Sequence, residues 1–273
     1  MRILVCGYYG FGNAGDEAIL SVLLADLARQ FDAPEVTVVG GSINAVAADH
    51  QVDAIHWQDL AQIKEAAQQS DLMVLGGGGL FQDQQEFDPH ALLTSAQGGI
   101  SYWAGFALLS HLVDRPLAIY GVGVGPLSTE AGRRLTAMSF QAAAGATVRD
   151  PESARILDQF GIPGVRITTD PVFAMTTDLE VGRKLLLEEG VGIDGPMVAV
   201  SVRPWRDDGF ILGLAEQLDR VVKRTGARIL FVPFQLSPHR AENDAAISLE
   251  VLNRMAGDAR TAIVRGTYTA EDK

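Results

Sequence analysis

Three glycine-rich turns, each set among a few charged residues, hold the chemistry that can be read in this chain. The first is Gly7-Tyr8-Tyr9-Gly10-Phe11-Gly12-Asn13-Ala14-Gly15-Asp16-Glu17. Glycine permits positive φ and lets a ligand approach the backbone closely. A helix starting at the end of such a turn offers N–H groups and a positive dipole end to a phosphate or carboxylate. The second turn is Gly76-Gly77-Gly78-Gly79-Leu80-Phe81-Gln82-Asp83, and the third is Gly121-Val122-Gly123-Val124-Gly125-Pro126. Consecutive glycines cost backbone entropy, so Gly76–Gly79 implies close approach by a ligand or by a packed helix. Gly12, Asn13, Gly15, Gly77, Gly78 and Asp83 are therefore candidate substrate-binding positions. Asp16 is itself negative beside a candidate anion site. It is either a helix N-cap or a direct substrate contact, and it is the one weak candidate for a catalytic group. Gly10, Gly12 and Gly15 formally match the dinucleotide fingerprint G-x-G-x-x-G. That reading also requires an acid at the end of the second strand to hold a ribose, and the chain has Val39-Gly40-Gly41-Ser42 there.

Charged residues that follow apolar runs complete the set. Arg149 precedes Asp150 and either pairs with it or reaches a ligand; Asp150 itself reads as a helix cap. Asp170-Pro171 reads as a turn device. Arg203, in Ser201-Val202-Arg203-Pro204-Trp205, emerges where a strand should end, so it is expected to face a cleft between domains. It is suited to bidentate carboxylate or phosphate binding. His50, His56, His90 and His111 are scattered without metal spacing, and no metal site is expected. His239 reads as a surface-loop residue that could line the cleft. Cys6 lies in an apolar run and reads as a small core residue. No G-x-S-x-G elbow occurs, and covalent hydrolase chemistry has no support.

Short apolar runs alternating with helical patterns must position these residues. Strands are expected at Ile3–Cys6, Val36–Val39, Leu72–Leu75, Leu117–Tyr120, Ala146–Val148 and Val165–Thr168. Helices are expected at Ala18–Phe31, from an Asp59 cap to Ala67, at Ile100–Leu112, near Thr129–Ala143, and from Asp150-Pro151 to Gly161. The order predicts a parallel sheet covered on both faces. The three glycine turns would then line one sheet edge, where open α/β sheets bind ligands. After Thr176–Asp194 a second series follows: strands at Met197–Val202, Arg228–Val232 and Thr261–Val264, with helices at Leu179–Glu189, Phe210–Thr225 and Asn243–Ala256. The expected fold class is α/β with two Rossmann-like parallel-sheet domains, 1–177 and 178–273. Three strands make a small second core. Thr269 and Asp272 resemble a helix start with no helix after them. The second domain is therefore expected to be truncated, the alternative being a disordered tail.

The chain has 273 residues, 47% hydrophobic and 21% charged, with a formal net charge of −12. That charge argues against general nucleic-acid or anionic-membrane binding. A single cysteine excludes an internal disulfide, and nothing points to secretion. No run approaches the roughly 20 apolar residues needed to span a bilayer. A cytoplasmic protein is expected, possible work at the inner face of a membrane included; a homo-oligomer is left open.

Together the three glycine turns, Val148-Arg149-Asp150, Asp170-Pro171-Val172-Phe173 and Ser201–Trp205 resemble the polysaccharide pyruvyl transferase family, in particular its bacterial cell-surface-anchoring (CsaB-like) type. The resemblance implies a two-domain fold like that of the GT-B glycosyltransferases. It implies transfer of pyruvate from phosphoenolpyruvate onto a sugar as a ketal across two hydroxyls, with no cofactor beyond that donor. The acceptor would be an amino-sugar or lipid-linked saccharide precursor of a cell wall polymer. On this reading Arg203, with Arg149, binds the donor, while Asn13 and Asp16 contact the sugar or orient the first loop. The family's Arg-Leu-His motif, whose histidine is the expected acid/base, does not occur before Lys273, in keeping with the expected truncation. A GT-B-like nucleotide-sugar glycosyltransferase and a non-catalytic sugar- or anion-binding protein are the competing readings.

Overall fold

The run Ile3-Leu4-Val5-Cys6 shows how the first sheet is built. Successive strand side chains point to opposite faces. Ile3 and Val5 enter one hydrophobic cluster, with Leu20, Leu23 and Val38, while Leu4 and Cys6 enter another, with Trp103 and Phe106. A strand buried on both faces reads as an unbroken apolar run and belongs in the middle of a helix-covered parallel sheet. The computed structural model describes residues 1–84, 87–92, 94–96, 98–204, 208–237, 243–256 and 260–272.

The first sheet has seven parallel strands: β1 (Arg2–Cys6), β2 (Glu35–Gly40), β3 (Asp53–His56), β4 (Leu72–Gly76), β5 (Leu117–Val122), β6 (Gly145–Val148) and β7 (Arg166–Ile167). Their order is β3-β2-β1-β4-β5-β6-β7. The chain leaves β1 in one direction and returns to β4 on its other side, so a topological switch point lies between them. All pairings are parallel. The three glycine turns therefore leave adjacent strands at one edge. The helices between strands are α1 (Ala14–Gln30), α2 (Ile43–His50), α3 (Leu60–Gln69), α4 (Ile100–Leu112), α5 (Glu130–Ala142) and α6 (Pro151–Gln159). The side chains of Asp59, Thr129 and Asp150 accept from the first-turn N–H groups of Gln62, Gly132 and Ser153 in α3, α5 and α6, as such residues do at helix starts.

The second sheet has order β10-β9-β8, from β8 (Met197–Val200), β9 (Arg228–Phe231) and β10 (Thr261–Ile263), all parallel. It is accompanied by α7 (Leu179–Glu188), α8 (Asp208–Thr225) and α9 (Asp244–Arg254). Ile211, Ala215 and Leu218 of α8 and Ile247 and Val251 of α9 pack with Ile229 and Phe231 into its main cluster. The chain divides into two compact units, one of residues 1–11 and 15–175, the other of residues 12–14 and 176–272 with the terminal Lys273. Thr269 and Asp272 form the reciprocal hydrogen bonds of a capping box, each side-chain oxygen taking the other's N–H at 3.3 Å. Among the described residues no helix is long and apolar enough to cross a membrane.

Three differences from the sequence reading have simple causes. α1 begins at Ala14, four residues before the apolar periodicity starts, because Asn13 through Glu17 look like a loop by propensity. α2 and β3 were not expected; each buries one apolar side chain, Val46 and Ile55 respectively, so neither shows a hydrophobic period. β7 is two residues long and exposed.

In the second unit Glu189 ties down the segment after β10. It accepts hydrogen bonds from the Tyr268 hydroxyl at 2.7 Å and the Arg265 N–H at 3.0 Å, and from the Gly266 N–H. Burial opposes its charge, but these donors outweigh it and hold the carboxyl below the usual value of 4.5. A depressed folded value means the carboxylate's contribution is complete above pH 4.5 and fades as pH falls through the folded value. Urea midpoints measured from pH 6 to 3 should therefore fall more steeply for the wild type than for Glu189→Gln; identical slopes would show that these bonds carry no stability.

Candidate functional site

Tyr9 fixes the geometry of the edge that carries the glycine turns. It is fully buried, and its hydroxyl donates to the Gly76 carbonyl at 2.7 Å. Burial first, then the Asp16, Cys6 and Glu17 charges, pushes its phenol well above the ordinary range, so it remains a neutral donor. The first turn is thus bolted to the end of β4. The neighbouring turn has no space to spare: a Cβ on Gly77 would lie 2.7 Å from the Tyr9 hydroxyl. Opposite, the Gly41 N–H donates to the Tyr9 carbonyl at 2.8 Å and the Ser42 N–H to the Gly10 carbonyl at 2.9 Å.

Around this bolt the first unit collects Asp16, Gly78, Gly79, Gly123, Arg149 and Asp170. Asp16 lies in the first turn of α1, not at its cap, where a negative charge complements the dipole. Its carboxylate abuts Gly78, whose φ of +66° and lack of a side chain are both required: a Cβ there would collide with Asp16 Oδ1. Gly78 is joined to the third turn by the Gly123 N–H, which donates to the Gly78 carbonyl at 2.9 Å. The Arg149 guanidinium lies along Gly123, 3.0 Å from where a Cβ would stand, and reaches to 3.9 Å of the same point on Gly79. Arg149 pairs with Asp170 at 2.9 Å and is 3.9 Å from Asp150. Asp170 also takes the Val172 N–H, so it is both a turn device and an ion-pair partner. A depression of about 520 Å³ is lined by Arg149, Asp150, Thr168, Thr169, Asp170 and Phe173, among others.

Asp83 stands apart from this group. Its two oxygens accept four hydrogen bonds, from the N–H and hydroxyl of Ser128 at 2.7 and 2.9 Å and from those of Thr129, both at 2.6 Å. Burial opposes its charge, yet these donors hold its carboxyl below the ordinary value. Its carboxylate fastens the loop before α5.

Within the second unit, Gly12 and Asn13 pair with the segment after β9. The Asn13 amide donates to Gln235 Oε1 at 3.3 Å, and Leu236 N–H donates to the Gly12 carbonyl at 3.2 Å. Gly12 has φ +76°, and a Cβ on it would meet the Leu236 carbonyl at 2.8 Å. The same Gln235 oxygen accepts from Arg203 Nη2 at 3.1 Å. Gln235 is buried, and Asp244 grips its backbone, taking its N–H at 2.8 Å and donating to its carbonyl at 2.9 Å. Among the described residues Arg203 has no carboxylate partner. Gly15 is the second residue of α1. Trp205 and His239 lie outside the described residues, and among those described no three His, Cys, Asp or Glu side chains group to hold a metal.

Three contributors escaped the sequence reading. Tyr9 sits inside a glycine run where every attention goes to the glycines. Gln235 is neutral and isolated. Glu17 accepts the Gly10 N–H at 2.7 Å and pairs with His50 Nε2 at 3.2 Å, its side chain 16% exposed and that of His50 6%. The acid at the end of GDE carried a weak signal; His50, on an unexpected helix, carried none.

Two substitutions separate scaffold from site. Tyr9→Phe strands the Gly76 carbonyl and should cost about 1–3 kcal/mol in urea unfolding. Asp83→Asn turns one acceptor oxygen into a donor facing Ser128 or Thr129 and should cost a similar ~1–3 kcal/mol, with ligand affinity of the folded protein unchanged. A loss of affinity without loss of stability would place Asp83 in the binding site instead.

Among curated proteins none matches the sequence. Among solved structures, UDP-GlcNAc 2-epimerase from Methanocaldococcus jannaschii superposes with a TM-score of 0.62 at 10% identity, over 99% of this chain and 75% of its own. The Neisseria meningitidis UDP-GlcNAc 2-epimerase bound to UDP-GlcNAc gives 0.61 at 11%, over 99% and 74%. Anabaena HepE in complex with UDP-glucose gives 0.60 at 12%, over 98% and 70%. At such identities the likeness establishes a shared GT-B-like fold of two parallel-sheet units and nothing of the chemistry. The sequence match goes further: the family model described as polysaccharide pyruvyl transferase spans residues 13–272, from the Asn13 that meets Gln235 through both later glycine turns and Arg203, and the chain belongs to that family.

Proposed function

We propose that the protein transfers pyruvate from phosphoenolpyruvate onto two hydroxyls of an amino-sugar in a lipid-linked cell wall polymer precursor, as the cell-surface-anchoring type of the family would. The observation that carries this reading is the neutral seat of Arg203. A guanidinium held by an amide keeps its full charge for an incoming anion, whereas Arg149 is already matched by Asp170. Phosphoenolpyruvate presents a carboxylate and a phosphate close together, and an arginine fork suits either. The reaction needs no cofactor beyond this donor.

The chemistry balances with three proton transfers. A sugar hydroxyl adds to C2 of the donor while an acid protonates the C3 methylene and a base takes the hydroxyl proton. The C2–O bond to phosphate then breaks. The second hydroxyl bonds to C2, its proton leaves with the phosphate, and the ketal closes. Asp16, beside Gly78 at the switch-point edge, is the carboxylate assigned to orient or deprotonate the acceptor. We place the reaction in the cytoplasm, at the membrane's inner face, where a lipid-linked acceptor would be presented.

The test is phosphate release from phosphoenolpyruvate by the full-length gene product, dependent on an N-acetylated amino-sugar acceptor. Arg203→Ala should raise KM for phosphoenolpyruvate by about ten- to a hundredfold, the worth of a charged hydrogen bond, and Arg203→Lys should recover part of it. An unchanged donor KM would remove Arg203 from the donor site. Turnover of a UDP- or GDP-sugar without phosphoenolpyruvate would replace the reading with glycosyl transfer, and ligand binding with no turnover would leave a binding protein.

A further inference from the structure

Phe11 is a half-buried aromatic in a loop; it belongs to no hydrophobic cluster of the described residues and touches one only through Tyr8 and Trp57 at its margin. The fold nevertheless holds its ring in a made seat. Tyr8 stacks on it with centroids 4.4 Å apart and planes 16° from parallel. Trp57, just past β3, meets it at 6.2 Å and 57°. Gly41 leaves the necessary space, since a Cβ there would stand 2.8 Å from the ring. Trp57 is fixed in turn by Tyr102 of α4, whose ring lies edge-on at 5.8 Å and whose hydroxyl donates to the Trp57 carbonyl at 2.8 Å. Holding a ring this firmly while leaving it partly in water forgoes burial that a core aromatic would gain. Placed at the ligand edge of the sheet, directly before Gly12 and Asn13, that arrangement serves a ligand better than it serves the core.

We propose that Phe11, backed by Tyr8 and flanked by Trp57, is a stacking platform for a pyranose ring. A pyranose carries C–H bonds on its faces and hydroxyls around its rim, so it suits an aromatic surface bordered by polar groups such as His56, 6.0 Å from the Trp57 ring. A nucleotide suits the place less well. The Gly41 and Ser42 N–H groups that could receive its phosphates are already given to the Tyr9 and Gly10 carbonyls. That the pyranose is the pyruvyl acceptor rests on the function proposed above; the stacking site itself does not.

Saturation-transfer difference NMR on the full-length protein tests the site without turnover and without phosphoenolpyruvate. With the methyl glycoside of N-acetylglucosamine as probe, the ring C–H protons should receive saturation in the wild type and in Phe11→Trp. They should lose at least half of it in Phe11→Ala and in Phe11→Leu, which keeps apolar bulk without an aromatic face and guards against a folding defect in the alanine variant. Equal transfer in wild type and Phe11→Leu, or transfer to UMP and not to the sugar, would overturn the platform. In the coupled assay Phe11→Leu should raise the acceptor KM by about tenfold with KM for phosphoenolpyruvate unchanged. Sugar binding that depends on Phe11 in a protein releasing no phosphate would sink pyruvyl transfer and leave the platform standing.

Discussion

The hydrogen bond from Tyr9 to the Gly76 carbonyl is the constraint on which the edge carrying the glycine turns depends. A glycine-rich loop is entropically costly to order, and loose turns would not hold ligand groups in register. Burying one phenol between the ends of β1 and β4 converts two flexible turns into a single rigid body. The requirement propagates outward. Gly77 has to be bare for the ring to fit, Gly78 to be bare for Asp16, and Gly123 to be bare for Arg149. The glycines are thus spent largely on the protein's own side chains, which in turn stand where the sheet's switch point opens.

The two arginines illustrate how environment divides residues of one type. Arg149 is balanced by Asp170 and laid along Gly123, so its charge is local and its position well defined. Such a group orients neighbours and shapes a surface. Arg203 rests on a buried amide that Asp244 holds by its backbone. Its position is defined, and among the described residues no carboxylate consumes its charge. Geometry without neutralisation is what an anion site needs, because a carboxylate partner would first have to be displaced.

How much of this was legible in the sequence follows from what each element buries. β1 and β4 are buried on both faces and β5 is buried on one and partly buried on the other, so their apolar runs stand out and their order with the helices announces a parallel sheet. β3 and α2 bury one apolar residue apiece and leave no period to detect. Helix caps such as Asp59 and Asp150 are local devices with local signatures. The pairing of Arg149 with Asp170 joins positions 21 apart and that of Asn13 with Gln235 joins positions 222 apart; no spacing rule reaches so far. Asp83 shows the same limit: an acid beside a glycine turn looks like a ligand group, and that its oxygens accept from Ser128 and Thr129 of a distant loop has no signature in the spacing.

The missing ribose acid gains a physical meaning in the same way. Where a dinucleotide-binding protein keeps an acidic side chain at the end of its second strand, this chain has Gly40-Gly41-Ser42, and the backbone there is taken up by its own first loop. The formal G-x-G-x-x-G match therefore describes the spacing of glycines but not their use. Gly10 takes a positive φ where the loop meets Ser42, Gly12 takes one against Leu236, Gly15 enters a helix, and the Phe11 ring lies on Gly41 just past β2. The likeness to nucleotide-sugar proteins is therefore one of fold, and at the end of β2 the backbone serves the chain's own first loop, while the edge over β4 and β5 gathers Asp16 against Gly78 and Arg149 along Gly123.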